Sequence, residues 1–295
     1  FFLLLNIFNF VDRNLLIAFA PQIKSEFNLT NVQWGLLTGV YFLFFYSVFG
    51  IFMGVLGDKF SRMKIAAAGV FLWSLMTAFT GVAKNFSHLI VARALIGVGE
   101  SALTPNAISM LSDLFKQNQR GTASAIYYLG IPLGVGFGML IAAFFGPAYG
   151  WRSVFITLGL IGMGLGILTY FLLEPRRGQL DISFDEDNKS TSIRDIISMT
   201  KHALYNSKCL TFVIIGSIFL HIPLGAGNFE VLWAVNERGF TASSYNSLFG
   251  IFFILGGTVG AVLGGVLSDR ISHYFKGGVM TFLVISYLIL TPLTI

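Results

Sequence analysis

Nine long apolar segments follow one another along this chain, and nearly all of the links between them are short. A helix needs about 20 apolar residues to cross the hydrocarbon core of a bilayer, and these segments are close to that length. The chain is therefore predicted to be an all-α membrane protein that crosses the bilayer many times. The segments lie near residues 1–20, 34–56, 65–83, 87–114, 121–146, 152–173, 209–235, 246–267 and 278–295.

Composition argues against a soluble enzyme. The chain is 55% hydrophobic and only 11% charged, whereas soluble domains contain about 25% charged residues. The net charge of +5 lies in loops between apolar segments, which fits membrane topology better than nucleic-acid binding. The four histidines lack metal-ligand spacing, and neither a phosphate-binding glycine loop nor a nucleophile constellation occurs. We therefore expect a protein that is not an enzyme and that binds no metal, cofactor or nucleic acid.

The polar link at residues 174–208 divides the chain into two unequal parts. We predict a six-helix N-terminal bundle at 1–173 and about three helices of a truncated C-terminal bundle at 209–295. The chain begins and ends within apolar runs, which also indicates a fragment. Within the link, a capping-box spacing that starts at Ser192 predicts a short amphipathic helix on the membrane surface, and a disordered linker is the alternative.

The distribution of Lys and Arg predicts the orientation in the membrane. Of the 19 such residues, most lie on the side that also carries the 174–208 link, and cytoplasmic loops carry this excess. The N-terminus and the link are therefore predicted to be cytoplasmic, in a plasma or inner membrane. The loop residues on the opposite side are Lys24, Lys84, Arg152 and Arg238.

A glycine-rich run that ends at an acidic and a basic residue occurs twice, at 54–59 and again at 264–270. Small residues let membrane helices approach closely, and a repeated helix–loop–helix unit is typical of two similar bundles in tandem. We predict that these loops form a conformational latch, in which Arg62 has Asp113 as its partner. The predicted latch residues are Gly54, Asp58, Arg62, Asp113, Asp269 and Arg270.

Together with several short motifs, the first of these loops resembles the Major Facilitator Superfamily and, within it, the spinster-type branch. The resemblance implies the major facilitator fold of two six-helix bundles. It also implies export or exchange of lysolipids and sphingoid phosphates, driven by protons in bacterial members. Anion and sugar-acid transporters share some of the motifs, so small organic anions remain an alternative. The motifs lie at residues 12–13, 34–39, 73–77, 93–100, 112–115, 127–134, 150–152 and 174–178.

Ionisable residues within the apolar segments are the candidates for a proton-coupling site. Such residues are costly in a membrane, so they usually face a cavity and pair with one another. Arg93 and Glu100 are seven residues apart, which places them nearly on one helical face. Depth along the first and fourth helices favours a pair of Asp12 with Arg93, and Arg13 and Glu100 are competing partners. We predict that Asp12, Arg93 and Glu100 couple transport to protons, and a static salt bridge is the alternative.

The predicted substrate-binding residues are Arg13, Arg93, Glu230 and Tyr127. Glu230 lies nine residues after His221 on the seventh segment, so the two side chains are predicted to lie almost opposite each other around one helix. The alternative for Glu230 is a solvated position at the outer mouth of the transporter. We predict a monomeric secondary transporter that works by alternating access, is linked to protons and carries an amphipathic lipid-like or anionic substrate. A symporter or facilitator of small organic anions and a non-transporting receptor or scaffold are the alternatives.

Overall fold

The computed structural model describes residues 1–180, 198, 201–202, 205–272 and 278–290. The amphipathic helix predicted to start at Ser192 lies outside the described residues, and so does the side chain of Asp269. The regular elements of the described part are helices, as the apolar segments predict. We call the helices before the 174–208 link the first half of the structure and the helices after it the second half.

The first half contains the helices that the first six apolar segments predict. They are α1 (Phe2–Ala18), α2 (Ala20–Glu26), α3 (Asn31–Gly35), a π-helical turn (Leu36–Val40), α4 (Tyr41–Lys59), α5 (Arg62–Gly81), α6 (Phe86–Ser101), α7 (Leu103–Leu114), α8 (Arg120–Tyr128) and α9 (Gly130–Tyr170). The second half consists of α10 (Lys208–Ala226), a 3-10 turn (Gly227–Phe229), α11 (Glu230–Arg238), α12 (Ala242–Ser272) and α13 (Gly278–Leu290).

Length and apolar composition make five continuous helical stretches of the described part able to span a membrane, or six when the bent pair α1–α2 counts as one span. The longest stretch, Arg120–Tyr170, has 51 residues, which is about 75 Å of helix and more than twice the hydrocarbon thickness. It is broken at Gly150, whose φ of 73° lies in the left-handed region that favours glycine. The break lets this stretch cross a bilayer twice.

Loops lie at both ends of the helical bundle. We call these the Asn28 end and the Arg62 end, after one residue at each. At the Asn28 end, Arg152 Nη2 lies 2.6 Å from Glu26 Oε1 and joins the break in α9 to the end of α2. At the Arg62 end, Arg177 Nη2 donates to the carbonyl of Phe60 over 2.7 Å. Successive helices run between these two ends, because the links that join them are short.

Helix α9 packs against α1 of its own half and against α12 of the second half, and it has glycine at both contacts. A Cβ atom at Gly134 would lie 2.5 Å from the Cβ of Phe10 on α1, and one at Gly136 would lie 2.7 Å from the carbonyl of Gly250 on α12. Such approaches exclude any side chain larger than hydrogen, since real Cβ atoms keep a greater distance. Gly134 and Gly136 therefore allow close packing of α9 against α1 and α12.

Candidate functional site: buried charges beside a cavity between the halves

A cavity of about 960 Å³ lies between the two halves. Most of its lining is apolar and aromatic, and the charged side chains divide by origin. Arg13 and Arg93 line it from α1 and α6 of the first half, while His221 and Glu230 line it from the second half. The cavity thus offers cationic groups on one wall and a carboxylate on the other, within an apolar surface.

Arg13 and Glu100 form an ion pair through Arg13 Nε and Glu100 Oε2. Glu100 is only 1% exposed, so its charge depends on this partner. The guanidinium of Arg13 also lies 4.8 Å from the ring centre of Phe42 and 4.6 Å from that of Tyr46. Aromatic faces attract a cation at these distances. The ring contacts hold Arg13 at the cavity wall while its Nε binds Glu100.

Asp12 is 3% exposed and accepts a hydrogen bond on Oδ2 from the hydroxyl of Thr77 on α5. The same hydroxyl lies 2.9 Å from the carbonyl of Trp73. A threonine has one hydroxyl proton, so it donates to only one of these acceptors at a time. If Thr77 donates to Trp73, its contact with Asp12 requires the proton on the carboxyl group. The site therefore accommodates both the ionised and the protonated form of Asp12.

Arg93 is 5% exposed, and its guanidinium lies 4.6 Å from the ring centre of Phe42. Among the described residues, no carboxylate lies within ion-pair distance of Arg93, so the predicted direct pair of Asp12 with Arg93 is wrong. Depth along the helices places Asp12 and Arg93 close together, and both line one small void. Consecutive residues of a helix point about 100° apart, so Arg13 reaches Glu100 while Asp12 faces Thr77.

Glu230 begins α11, directly after the 3-10 turn, and its Oε1 accepts a hydrogen bond from Tyr245 over 2.6 Å. The prediction of one continuous helix through His221 and Glu230 is wrong, because the turn at Gly227–Phe229 interrupts it. Both side chains consequently line the same cavity. Glu230 is half-buried at a helix N-terminus, where a negative charge is favourable.

Tyr127 lies apart from the other predicted substrate-binding residues. Its side chain is buried, and its hydroxyl shares a hydrogen bond of 3.1 Å with Thr104. It lines a second cavity of about 530 Å³, together with Phe1 and Gln119. The structure brings Arg13, Arg93 and Glu230 to one cavity and places Tyr127 at another.

Arg62 binds Asp113, as predicted, and also anchors the segment that follows α9. It is 4% exposed and forms an ion pair with Asp113 through Nη1. Its Nε lies 3.0 Å from Glu174 Oε1, and its Nη2 donates to the carbonyl of Pro175 over 3.1 Å. Burial of Glu174 opposes ionisation, but hydrogen bonds from Ser61 and Arg62 outweigh it and hold the pKa of Glu174 below its ordinary value.

The other predicted latch residues have fewer partners in the described part of the chain. The side chain of Asp58 is exposed, whereas its backbone carbonyl accepts from Arg177. Gly54 and Asp58 line a groove of about 370 Å³ beside Arg62. Arg270 is exposed at the end of α12.

Sequence reasoning missed three polar residues of the site, Asn6, Asn9 and Thr77. Asn6 donates to the carbonyl of Tyr127 over 2.8 Å, and Asn9 is 3% exposed beside Glu100. The two asparagines had a signal in the sequence, because positions 6, 9 and 12 are spaced by three on a largely apolar helix. That spacing places polar side chains on one face.

Comparison with known proteins identifies relatives that share this architecture. The family model described as Major Facilitator Superfamily matches residues 2–295. Protein spinster of Drosophila melanogaster is 28% identical over 278 residues, which cover 90% of this chain and 44% of that protein. The Sphingosine-1-phosphate transporter SPNS2 of Danio rerio is 29% identical and is matched over 88% of this chain and 54% of its own length. The chain therefore spans about half the length of these relatives.

Solved structures give the same result. The crystal structure of a bacterial homologue of the human lysosomal transporter Spinster, inward-facing and unoccupied, matches with a TM-score of 0.79 and 25% identity. The match covers 93% of this chain and 62% of that one. The inward-open xylose transporter XylE from E. coli matches with a TM-score of 0.57 at 15% identity over 93% of this chain and 68% of its own, a likeness of fold alone.

Proposed function

Because the chain belongs to the Major Facilitator Superfamily, we propose that it is part of a proton-linked secondary transporter that works by alternating access. The observation that carries this proposal is the set of buried ionisable residues beside a cavity between two helical halves. Arg93 and Arg13 line the cavity, and Asp12 and Glu100 are buried directly behind them. Buried charges in a membrane are expensive, and they mark substrate and proton pathways.

The proposed substrate is an amphipathic, lipid-like anion. The apolar and aromatic lining suits a hydrocarbon chain, and Arg13 and Arg93 suit an anionic headgroup. Glu230, on the opposite wall, suits a positively charged group on the same molecule. A relative named as a sphingosine-1-phosphate transporter agrees with this class. The largely apolar lining suits a small sugar acid less well, since such a molecule needs many hydrogen bonds.

Asp12 is the proposed proton-coupling residue. Its hydrogen bond with Thr77 can be made in either protonation state, because Thr77 has a second acceptor in Trp73. Arg13 and Arg93 line the cavity, whereas Asp12 is buried behind them. An anionic substrate that binds these arginines changes the charge next to Asp12, and this change links substrate binding to protonation.

We also propose that the Arg62 end is cytoplasmic and acts as a latch. The basic residues near this end, including Lys59, Lys64 and Lys116, favour that orientation. The network of Arg62 with Asp113 and Glu174 fixes three helix ends at one position. Asp58 borders the adjacent groove, where another helix of the complete protein would contact it.

The test is transport by the full-length protein in proteoliposomes, with and without an imposed pH gradient. Uptake of sphingosine 1-phosphate or a lysophospholipid that depends on the gradient is the expected result. Asp12→Asn should abolish accumulation against a gradient and leave substrate exchange intact. Glu237→Gln, which removes an exposed carboxylate near the end of α11, is the control and should transport normally.

Three results would contradict parts of the proposal. Accumulation that persists in Asp12→Asn under a pH gradient would remove Asp12 from the coupling mechanism and leave Glu100 as the candidate. Gradient-driven uptake of a sugar acid but not of lipids would favour the small-anion alternative. Absence of transport for both classes would favour a receptor or scaffold.

A further inference from the structure

Two buried polar atoms of opposite character lie without a hydrogen-bond partner at the centre of the first half. They are Oδ1 of Asp12, an acceptor when ionised, and Nε of Arg93, a donor. Leaving such atoms unpaired in the interior is costly, and native proteins rarely do so. Asp12 and Arg93 are 3% and 5% exposed, and these two atoms are themselves buried.

Both side chains line one small void of about 10 Å³. A third polar residue, Thr80 of α5, lines it as well. The remaining walls are aliphatic and aromatic side chains of α1, the π-helical turn, α6 and α9, among them Leu16 and Leu89. A void of roughly 10–15 Å³ by this measure holds one water molecule, provided that the water finds two to four polar partners.

We propose that one water molecule binds in this void and bridges Asp12 to Arg93. The water accepts a hydrogen bond from Arg93 Nε and donates one to Asp12 Oδ1. Its second proton goes to the hydroxyl oxygen of Thr80, which remains an acceptor because its own proton is donated to the carbonyl of Met76 over 2.9 Å. The three bonds match the usual number for a buried water.

This bridge does what a direct pair cannot. Arginine is only a donor, so in a direct contact it could not accept a hydrogen bond from a proton on Oδ1 of Asp12. A water molecule is both donor and acceptor, so it can turn and accept from Asp12 when the carboxyl group is protonated. The other charged groups buried nearby, Arg13 and Glu100, are paired with each other. This consequence rests on the proposed proton coupling, whereas the water site itself does not.

The test is a structure of the full-length protein in lipid nanodiscs, at a resolution at which other buried waters are visible. The expected result is a solvent-sized peak within hydrogen-bond distance of both Asp12 Oδ1 and Arg93 Nε. A void without density overturns the proposal, and so does a direct contact between the two side chains. Transport is measured separately, so a peak without proton-driven uptake supports the water site and contradicts only the coupling.

A pair of variants tests whether the void itself holds the water. Leu16→Phe places extra atoms into the void, while Leu15→Phe makes the same change at a fully buried neighbour that does not line it. The peak should be lost in the first and kept in the second. A peak that survives Leu16→Phe at the same position would overturn the proposal. If Leu16→Phe does not fold, Thr80→Val serves instead, since it removes one partner at equal volume and should weaken the peak.

Discussion

Trp34 donates its indole N–H to the backbone carbonyl of Asn228 over 2.9 Å and joins the two halves at the Asn28 end. Nearby, a Cβ atom at Gly35 would lie 3.5 Å from the ring of Phe229, which is ordinary contact. Both partners adjoin irregular helix, the π-helical turn on one side and the 3-10 turn on the other. Such irregular turns often occur at functional sites. The contact therefore joins the two halves beside the cavity, which Asn228 and Phe229 line.

We predict that Trp34→Phe weakens this contact between the two halves. The ring is kept, but the carbonyl of Asn228 loses its donor, which costs about 1 kcal/mol and corresponds to roughly a fivefold shift toward forms open at the Asn28 end. Labelling of cysteines introduced at this end of the full-length protein measures the shift. Trp73→Phe is the control, because the indole N–H of Trp73 is buried without a partner. Equal labelling of both variants would contradict the prediction.

The helical fold was predictable from the lengths of the apolar segments. The contact of Arg62 with Asp113 was predictable because both residues lie at helix ends on the same predicted side of the membrane. The hydrogen-bond partner of Asp12 was not predictable. Depth along a helix gives the position of a residue along the membrane normal, but it does not give the direction in which the side chain points. The break at Gly227–Phe229 had a signal in the glycines at 225 and 227. Glycine lowers helix propensity, but many membrane helices contain it, so the signal alone did not decide.

The lowered pKa of Glu174 predicts a pH-dependent stability. A carboxyl group with a folded-state pKa below its unfolded value stabilises the protein above the unfolded pKa of about 4.3. This contribution is lost as the pH falls through the lower folded-state pKa. Thermal unfolding of the full-length protein should therefore lose stability in acid, and Glu174→Gln should lose less over the same range. Identical acid dependence in the two proteins would show that the contact of Glu174 with Arg62 contributes nothing.

Arg177 is predicted to stabilise the end of α4. Its guanidinium donates to the carbonyls of Gly57, Asp58 and Phe60, and a cation at a helix C-terminus contributes about 0.3–1 kcal/mol, or up to ~2 in favourable geometry. Arg177→Gln should lower the melting temperature. Arg176→Gln makes the same charge change at the exposed neighbour and should have little effect. Equal losses would assign the effect to net charge.

Thr77 is predicted to be required for proton coupling through its hydroxyl. In Thr77→Val the shape is retained, but Oδ2 of Asp12 loses its partner in both protonation states. A lost hydrogen bond of about 1.5 kcal/mol corresponds to roughly a tenfold change, and we expect a decrease of that size in pH-driven accumulation. Exchange of substrate without a gradient should continue, because it requires no change in the protonation of Asp12.

Thr77→Ser separates the hydroxyl from the shape of the side chain. Serine keeps the donor and acceptor, and its hydroxyl can still choose between Asp12 and the carbonyl of Trp73. Accumulation should therefore return toward that of the wild-type protein, although serine leaves a small gap where the methyl group was. Proteoliposome uptake under an imposed pH gradient and counterflow without one measure the two activities on the same preparation. If valine and serine reduce both activities equally, Thr77 acts through packing of α5 against α1, and Asp12 does not depend on its hydroxyl.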